Sequence, residues 1–427
     1  MTRVAGQRSL RRPPLAFRGW AVVAGSFTVQ AISFGAIYSF PAFAVPVRES
    51  FGASHASVTL LYAISGAMAF AVGAISGPIS DRFGARWPVS IGMATIALGF
   101  LLAARAESFA EVLLCYGLMV GTGAGLAYVP ALAVVQRWFV AWRGLASGIA
   151  TAGVGVGTAL VPLSATLLSA CGSWRAAFPV AGLAIAILGL LAAQLLAPSP
   201  ERCGLRPDGL DSPAREPVPS SLEGVSIGRA MAGRRFPWLM AGCLLVSAPI
   251  ALPFAEIVNT ARARGLDAAE ALWLLGLIGL GSIIGRLALG AVADQHGRGQ
   301  TLLACCLGVA ASMAWWAQAS SALGFAAFAL AFGIFQGGFV ALLPSVVVDL
   351  YGRRCAGGVI GALFAGRALA VLLAPPGMAA LAGITGPDAP LLLSGGLALL
   401  GTAALALALR ACPAAAPLGG RYSSPRP

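Results

Sequence analysis

The sequence predicts an all-α integral membrane protein, with twelve transmembrane helices in two pseudo-symmetric six-helix bundles. Three observations predict it. Across 427 residues, 58% are hydrophobic and only 10% charged, and the mean hydropathy is +0.86. A soluble domain of this size needs more charge to cover its surface, so the excess apolar residues must face lipid. Second, the apolar residues fall into twelve runs, each near the roughly 20 residues that span a bilayer. Third, the second half repeats landmarks of the first at an offset of 213 or 214 residues.

The runs, in order, are 19–47, 57–79, 87–105, 109–136, 143–170 and 176–197, then 237–261, 270–292, 300–318, 322–349, 355–383 and 389–411. Their lengths allow for tilt. Glycine and proline inside them are tolerated, because neighbouring helices re-satisfy the backbone and small residues let helices approach closely. Residues 198–235 form the longest polar stretch, rich in Pro, Asp, Glu, Arg and Ser. That composition reads as a flexible cytoplasmic linker. The expected organisation is a tail at 1–18, a bundle at 19–197, the linker at 198–235, a second bundle at 236–411 and a tail at 412–427.

Net charge is +13, and every basic residue is arginine. The arginines sit in short gaps between apolar runs, a pattern of membrane orientation and not of nucleic-acid binding. Of the arginines in the tails, the loops and the run ends, 21 lie on one side and 5 on the other. The positive-inside rule places both termini in the cytoplasm of a cell (plasma or inner) membrane, and an even number of spans agrees. Arg11 and Arg12 are not read as an export signal, since the apolar stretch after them is too long and lacks a clear cleavage site. The eight cysteines show no metal spacing, so no disulfide, metal or cofactor is expected.

The repeat is sharpest in two short loops. After the second run comes Gly77-Pro-Ile-Ser-Asp81-Arg82-Phe-Gly84-Ala-Arg86, and after the eighth Gly290-Ala-Val-Ala-Asp294-Gln-His296-Gly297-Arg298. The aspartate can receive arginine contacts or cap a neighbouring helix N-terminus, and the glycine lets a short loop turn sharply. Gly77, Asp81, Arg82, Gly84 and Arg86, with Gly290, Asp294, Gly297 and Arg298, are therefore candidates for a conformational latch. Pro130 pairs with Pro344, and Gly125 with Gly338, at a similar offset. Two such halves are the architecture of a carrier with its site at their interface.

These loops resemble the signature between helices two and three of the major facilitator superfamily. A narrower resemblance covers most of the chain. Arg18-Gly-Trp-Ala-Val-Val23, Gly35-Ala-Ile-Tyr38-Ser, Arg137-Trp-Phe and Arg143-Gly-Leu-Ala-Ser-Gly148 are similar to the monocarboxylate transporter and oxalate:formate antiporter group. So are Pro162-Leu, Trp174-Arg175-Ala-Ala-Phe178 and Gly285-Arg286. The resemblance implies a secondary carrier of small organic anions working by alternating access.

Two arginines fall where charge is expensive. Arg286 lies roughly 12 Å inside Asp294, and Arg367 roughly 20 Å into the eleventh run, at 1.5 Å per residue. A guanidinium near mid-membrane costs at least about 2.5–3.5 kcal/mol, so each should face the bundle interior with a partner. Helices one to six offer no clear mid-membrane acid; Asp349 and Glu256 sit toward opposite ends of their helices. An anionic substrate would complete such a site. The resemblance implies the same: a helix-eight arginine binds the substrate carboxylate in that group, matched by Arg286. Its oxalate-type members add a helix-eleven cation, matched by Arg367 in place of lysine. The structural alternatives are a fixed ion pair of Arg286 with Glu256 or Asp349, and snorkelling of Arg367.

Tyr38, Tyr62, Tyr128, Phe335, Phe364, Gln30 and Gln336 could line the chamber, or simply pack. Phe364 stands three residues before Arg367 and shares its helix face. Tyr38 and Tyr128 resemble cavity tyrosines of the oxalate carrier. Proton-coupled members of the group carry an ionisable residue in helix one, whereas this chain has none between Arg18 and Arg48. Glu256 is the remaining candidate for proton coupling, and exchange against a counter-anion stays open. The expected partners are thus a small organic anion, a proton or counter-anion, and the lipid bilayer, with no nucleic acid and a functional monomer. Efflux of neutral or anionic compounds and a transport-dead sensor are the competing functions. An enzyme is not expected, because His55 and His296 lie in loops on opposite sides and no metal cluster, phosphate loop or triad is visible.

Overall fold

The computed structural model describes residues 17–159, 167, 170–209, 224–386 and 388–410. The helices, numbered by span, are α1 (Arg18–Tyr38, continued by Phe40–Phe51), α2 (His55–Ala71 and Gly73–Phe83), α3 (Arg86–Ala103), α4 (Phe109–Trp138), α5 (Arg143–Ala159) and α6 (Trp174–Gln194). The second set is α7 (Arg235–Ala263), α8 (Ala268–His296), α9 (Arg298–Gln318), α10 (Ala322–Tyr351), α11 (Ala356–Thr385) and α12 (Asp388–Arg410). Eleven helices among the described residues are long and apolar enough to cross a membrane. The remaining expected span, α5, is described over 17 residues; most of its expected continuation to 170, Pro162 included, lies outside the described residues. The expected tails, apart from Phe17 and Arg18, and linker residues 210–223 lie outside them as well.

Long helices form here because each run is apolar all round, which is the pattern of a helix buried in lipid and protein together. Large apolar side chains such as Trp87 (69% exposed), Leu183 (60%) and Ile384 (85%) point outward, as lipid contact requires. The serine-capped starts at Ser54, Ser108, Ser173 and Ser321 each satisfy a backbone N–H of the first turn, and Asp267 with Glu270 forms a capping box on α8.

Three local features depart from the sequence reading. The first span, expected as one helix over 19–47, breaks at Ser39 and runs on to Phe51. A proline opens its outer segment, and a pyrrolidine ring excludes the carbonyl four residues earlier. The second span is interrupted at Val72, upstream of Gly73 and Pro78, and extends to Phe83 instead of 79. In α4, Leu113–Val120 is a π-helix; π segments often mark functional sites.

Helices α2 and α11 pack against each other, as do α5 and α8, and these two seams join the halves. Glycine makes both seams possible. A Cβ on Gly77 would lie 2.0 Å from the Gly357 carbonyl oxygen, and one on Gly361 2.0 Å from that of Gly73. In the other seam a Cβ on Gly148 would lie 2.1 Å from the Arg286 carbonyl oxygen. Backbones this close gain dispersion contact that any side chain would forbid. Gly361→Ala is therefore expected to cost about 1–3 kcal/mol by overpacking. The check is the thermal unfolding midpoint in detergent, which should fall; an unchanged midpoint would show that the seam yields freely.

Candidate functional site

The latch loops lie where the seams end. Asp81, near the end of α2, reaches across to α11, where its Oδ1 accepts the Gly357 N–H at 2.9 Å and its Oδ2 the Gly358 N–H at 2.7 Å. Asp294, at the same place in α8, accepts the Gly144 and Leu145 N–H groups of α5 at 2.8 and 2.9 Å. Each aspartate thus caps a helix of the opposite half, using the orphan donors and the positive dipole end found there. Gly84 (φ 87) and Gly297 (φ 103) turn the chain just beyond, in the left-handed region. Gly77 and Gly290 supply the close approach, since a Cβ on Gly290 would sit 2.6 Å from the Gly144 carbonyl oxygen.

Charges finish this end. Arg137 of α4, buried at 3% exposure, donates to Asp81. Arg298 donates to Asp294 at 2.8 Å and to both Asp349 oxygens at 3.1 and 3.2 Å, and Arg143 also donates to Asp349. Arg353 donates to the Arg137 carbonyl at 3.0 Å and to Glu201 at 2.7 Å. Two expected latch residues lie outside this set. Arg82 is exposed, with its guanidinium 5.1 Å from the Phe83 ring centroid. Arg86 donates to the Gln194 carbonyl at 2.9 Å, tying α3 to the end of α6. From sequence, Arg137, Arg143 and Arg353 read as orientation charges, the first two also as parts of the resemblance motifs, and none as a latch residue; Glu201 and Asp208 read as part of a flexible linker. The linker's near end is instead held in place: Asp208 is buried, and Glu201 is paired. Composition saw charge and proline there but not the receptors waiting on the folded face.

Deeper in the seam sit the two central arginines. Arg286 of α8 is 3% exposed and Arg367 of α11 6%. Neither has a hydrogen-bond partner for its Nε or Nη1 among the described residues. Asp349 is engaged by Arg143 and Arg298, and Glu256 is half-buried and accepts from Asn259 at 3.2 Å. Aromatic faces take the place of a carboxylate at Arg367, whose Cζ lies 5.0 Å from the Phe70 ring centroid and 6.0 Å from that of Phe364. A desolvated cation–π contact contributes about 2 kcal/mol and leaves the in-plane N–H donors free.

Rings from both halves surround this point. Tyr128 stacks on Phe364 at 5.4 Å, and Phe34 meets Tyr128 edge-on at 4.8 Å. Phe70 stands perpendicular to Phe364 at 5.9 Å. Tyr38 is half-buried, 6.4 Å from Tyr62 between ring centroids. Gln336 accepts a hydrogen bond from Ser282 of α8 at 2.9 Å, so its amide oxygen is already occupied. Gln30 donates to Ser26 at 3.0 Å, and its oxygen has no partner among the described residues. Phe34 and Phe70, which the sequence reading did not single out, belong with this cluster. A lone phenylalanine in an apolar run carries no signal of its own.

Two helical bundles thus meet along glycine seams, with matched aspartate caps at one end. The sequence model described as Major Facilitator Superfamily matches residues 25–260 and 238–421. The chain belongs to the major facilitator superfamily. Among curated relatives, this facilitator is 29% identical to human monocarboxylate transporter 11 over 419 residues, which is 95% of this chain and 86% of that protein. It is 30% identical to monocarboxylate transporter 13 of Bos taurus over 347 residues, 80% of this chain and 77% of the relative. In structure it resembles the human organic anion transporter MFSD10, with a TM-score of 0.69, 17% identity and coverage of 91% and 99%. It also resembles the proton:xylose symporter XylE, with a TM-score of 0.71, 15% identity and coverage of 92% and 96%. The facilitator is a multi-pass membrane protein with a transporter's fold and transporter relatives.

Proposed function

We propose that this facilitator moves a small organic carboxylate, mono- or dibasic, across a cell membrane by alternating access, with Arg286 as the carboxylate clasp and Arg367 as a second cation. The observation that carries the proposal is the pair of buried mid-helix guanidinium groups whose Nε and Nη1 donors lack acceptors among the described residues. Buried arginine without a partner is costly, so the site gains most from a ligand that brings the missing charge. Tyr38, Tyr128 and Phe364 shape the chamber around that ligand, with Gln30 offering an unpaired amide oxygen to a polar substituent. The monocarboxylate carriers among the relatives support the same substrate class. The arginine-rich end, where the aspartate caps lie, is assigned to the cytoplasm by charge bias.

The test is uptake of a panel of labelled mono- and dicarboxylates into proteoliposomes, with and without a pH gradient. Saturable uptake of at least one carboxylate is expected. Arg367→Ala should weaken dicarboxylate uptake more than monocarboxylate uptake, because the second cation has a second carboxylate to meet. Equal effects on both classes would remove Arg367 from the site. Acceleration by an inward proton gradient, abolished in Glu256→Gln, would assign coupling to Glu256; gradient-independent exchange would assign it to a counter-anion. Transport of neutral compounds alone would reject the carboxylate reading.

A further inference from the structure

We propose that Glu201 and Asp208, in the segment that leaves α6, are positioning residues that hold the arginine-rich gate shut during the transport cycle. The proposal rests on the gate alone and is independent of which substrate the carrier takes.

The segment is shaped for this contact. Glu201–Cys203 forms a single 3-10 turn, closed by Gly204 at φ 69. Asp208 follows at φ 59, and it alone among described non-glycine residues has a positive φ. Its short acceptor side chain suits that conformation. The carboxylate is carried inward to 3% exposure, where it accepts the N–H groups of Val140 at 3.1 and 3.2 Å, Ala141 at 2.9 Å and Trp142 at 3.5 Å.

What these bonds do follows from peptide geometry. In a trans peptide the N–H and C=O point in opposite directions. The unit joining Val140 to Ala141 gives its N–H to Asp208, while its carbonyl, on Val140, accepts from Arg298 at 2.6 Å. The next unit repeats this: the Trp142 N–H faces Asp208, and the Ala141 carbonyl accepts from Arg298 at 3.0 Å. Two peptide dipoles therefore lie between an anion of the linker and a cation of the opposite half. Asp208 aims the carbonyls at Arg298, and the same guanidinium holds Asp294 and Asp349. Chains of hydrogen bonds ending in charges strengthen one another.

Glu201 adds a direct tie. Its side chain is 6% exposed and pairs at 2.7 Å with Arg353, which lies between α10 and α11 in the other half. That arginine also binds the Arg137 carbonyl, so one guanidinium spans the linker, α4 and the second bundle. Separating the halves at this end must break the Glu201 pair and pull Arg298 off two oriented carbonyls. The brace adds to the paired aspartate caps and meets one of them through Arg298, which also holds Asp294.

Cys355 reports the gate. It is 3% exposed, directly before α11, and burial, with the nearby Asp81 charge, pushes its thiol up to about 11. Full-length protein in proteoliposomes, carrying Cys355 or the α9 core residue Cys306 as its lone cysteine, would be labelled with a membrane-permeant maleimide. Asp208→Ala and Glu201→Gln should each raise the Cys355 labelling rate about tenfold or more while Cys306 stays protected. The charge swap Glu201→Arg with Arg353→Glu re-forms the direct pair but not the bond to the Arg137 carbonyl, so it should restore part of the protection. Unchanged Cys355 labelling in both single variants would overturn the proposal. So would a parallel rise at Cys306, which would mean general loosening, and failure of the swap would remove Glu201.

Discussion

Replacing Arg286 with alanine should abolish carboxylate uptake and leave the protein at least as thermally stable as before. The two halves of this expectation have one cause. A cation buried at 3% exposure with its Nε and Nη1 unpaired is a liability in the empty carrier, so removing it relieves a desolvation cost. In the proposed loaded carrier a substrate carboxylate pairs the same group, and truncating one member of a buried charge pair costs about 2–5 kcal/mol. That is roughly 30- to several-thousand-fold in affinity. Lysine should recover only part of it, because a point charge lacks the planar fork that grips a carboxylate at two donors. Substrate binding by calorimetry, run beside a melting curve, checks both halves. Lost binding with a sharply lowered midpoint would show instead that Arg286 is a structural member of the bundle.

Asp81→Ala should have the opposite profile, a large loss of stability of the closed arrangement. Three donors converge on that carboxylate: Arg137 from its own half, and the Gly357 and Gly358 N–H groups from the other. Alanine would orphan them together and strand Arg137 at 3% exposure. Removing one partner of a buried ion pair costs about 3–5 kcal/mol, enough to reverse a two-state balance of ordinary size. The melting midpoint in detergent should fall, and Cys355 should become reactive. Asp81→Asn keeps an acceptor without the charge and should fall between. Asp294→Ala should act more mildly, because Arg298 keeps Asp349 and the Val140 and Ala141 carbonyls as partners. Equal effects at the two aspartates would contradict that asymmetry.

What sequence alone determined is the scaffold. Hydropathy is a sum over neighbours along the chain, so twelve spans and two halves can be read without coordinates. Because the repeat is encoded locally, it marked Asp81 and Asp294 as equivalent. Arg286 and Arg367 stood out for the same reason: a charge inside an apolar run is visible against its immediate neighbours. Partnership is not visible in that way. That Asp81 caps α11, that Asp208 orients the loop before α5, and that Arg137 and Arg353 are gate residues depend on atoms more than fifty residues apart. The cluster of Phe34, Phe70, Tyr128 and Phe364 likewise draws one ring from each of four helices, and none is unusual in its own run. The break at Ser39 goes with a proline that the hydropathy of the run does not weigh, and the π segment of α4 lies in a run whose hydropathy does not set it apart. The sequence set which segments enter the membrane. Only the tertiary structure decided which charges meet there, because an ion pair depends on the distance between two side chains and not on their separation along the chain.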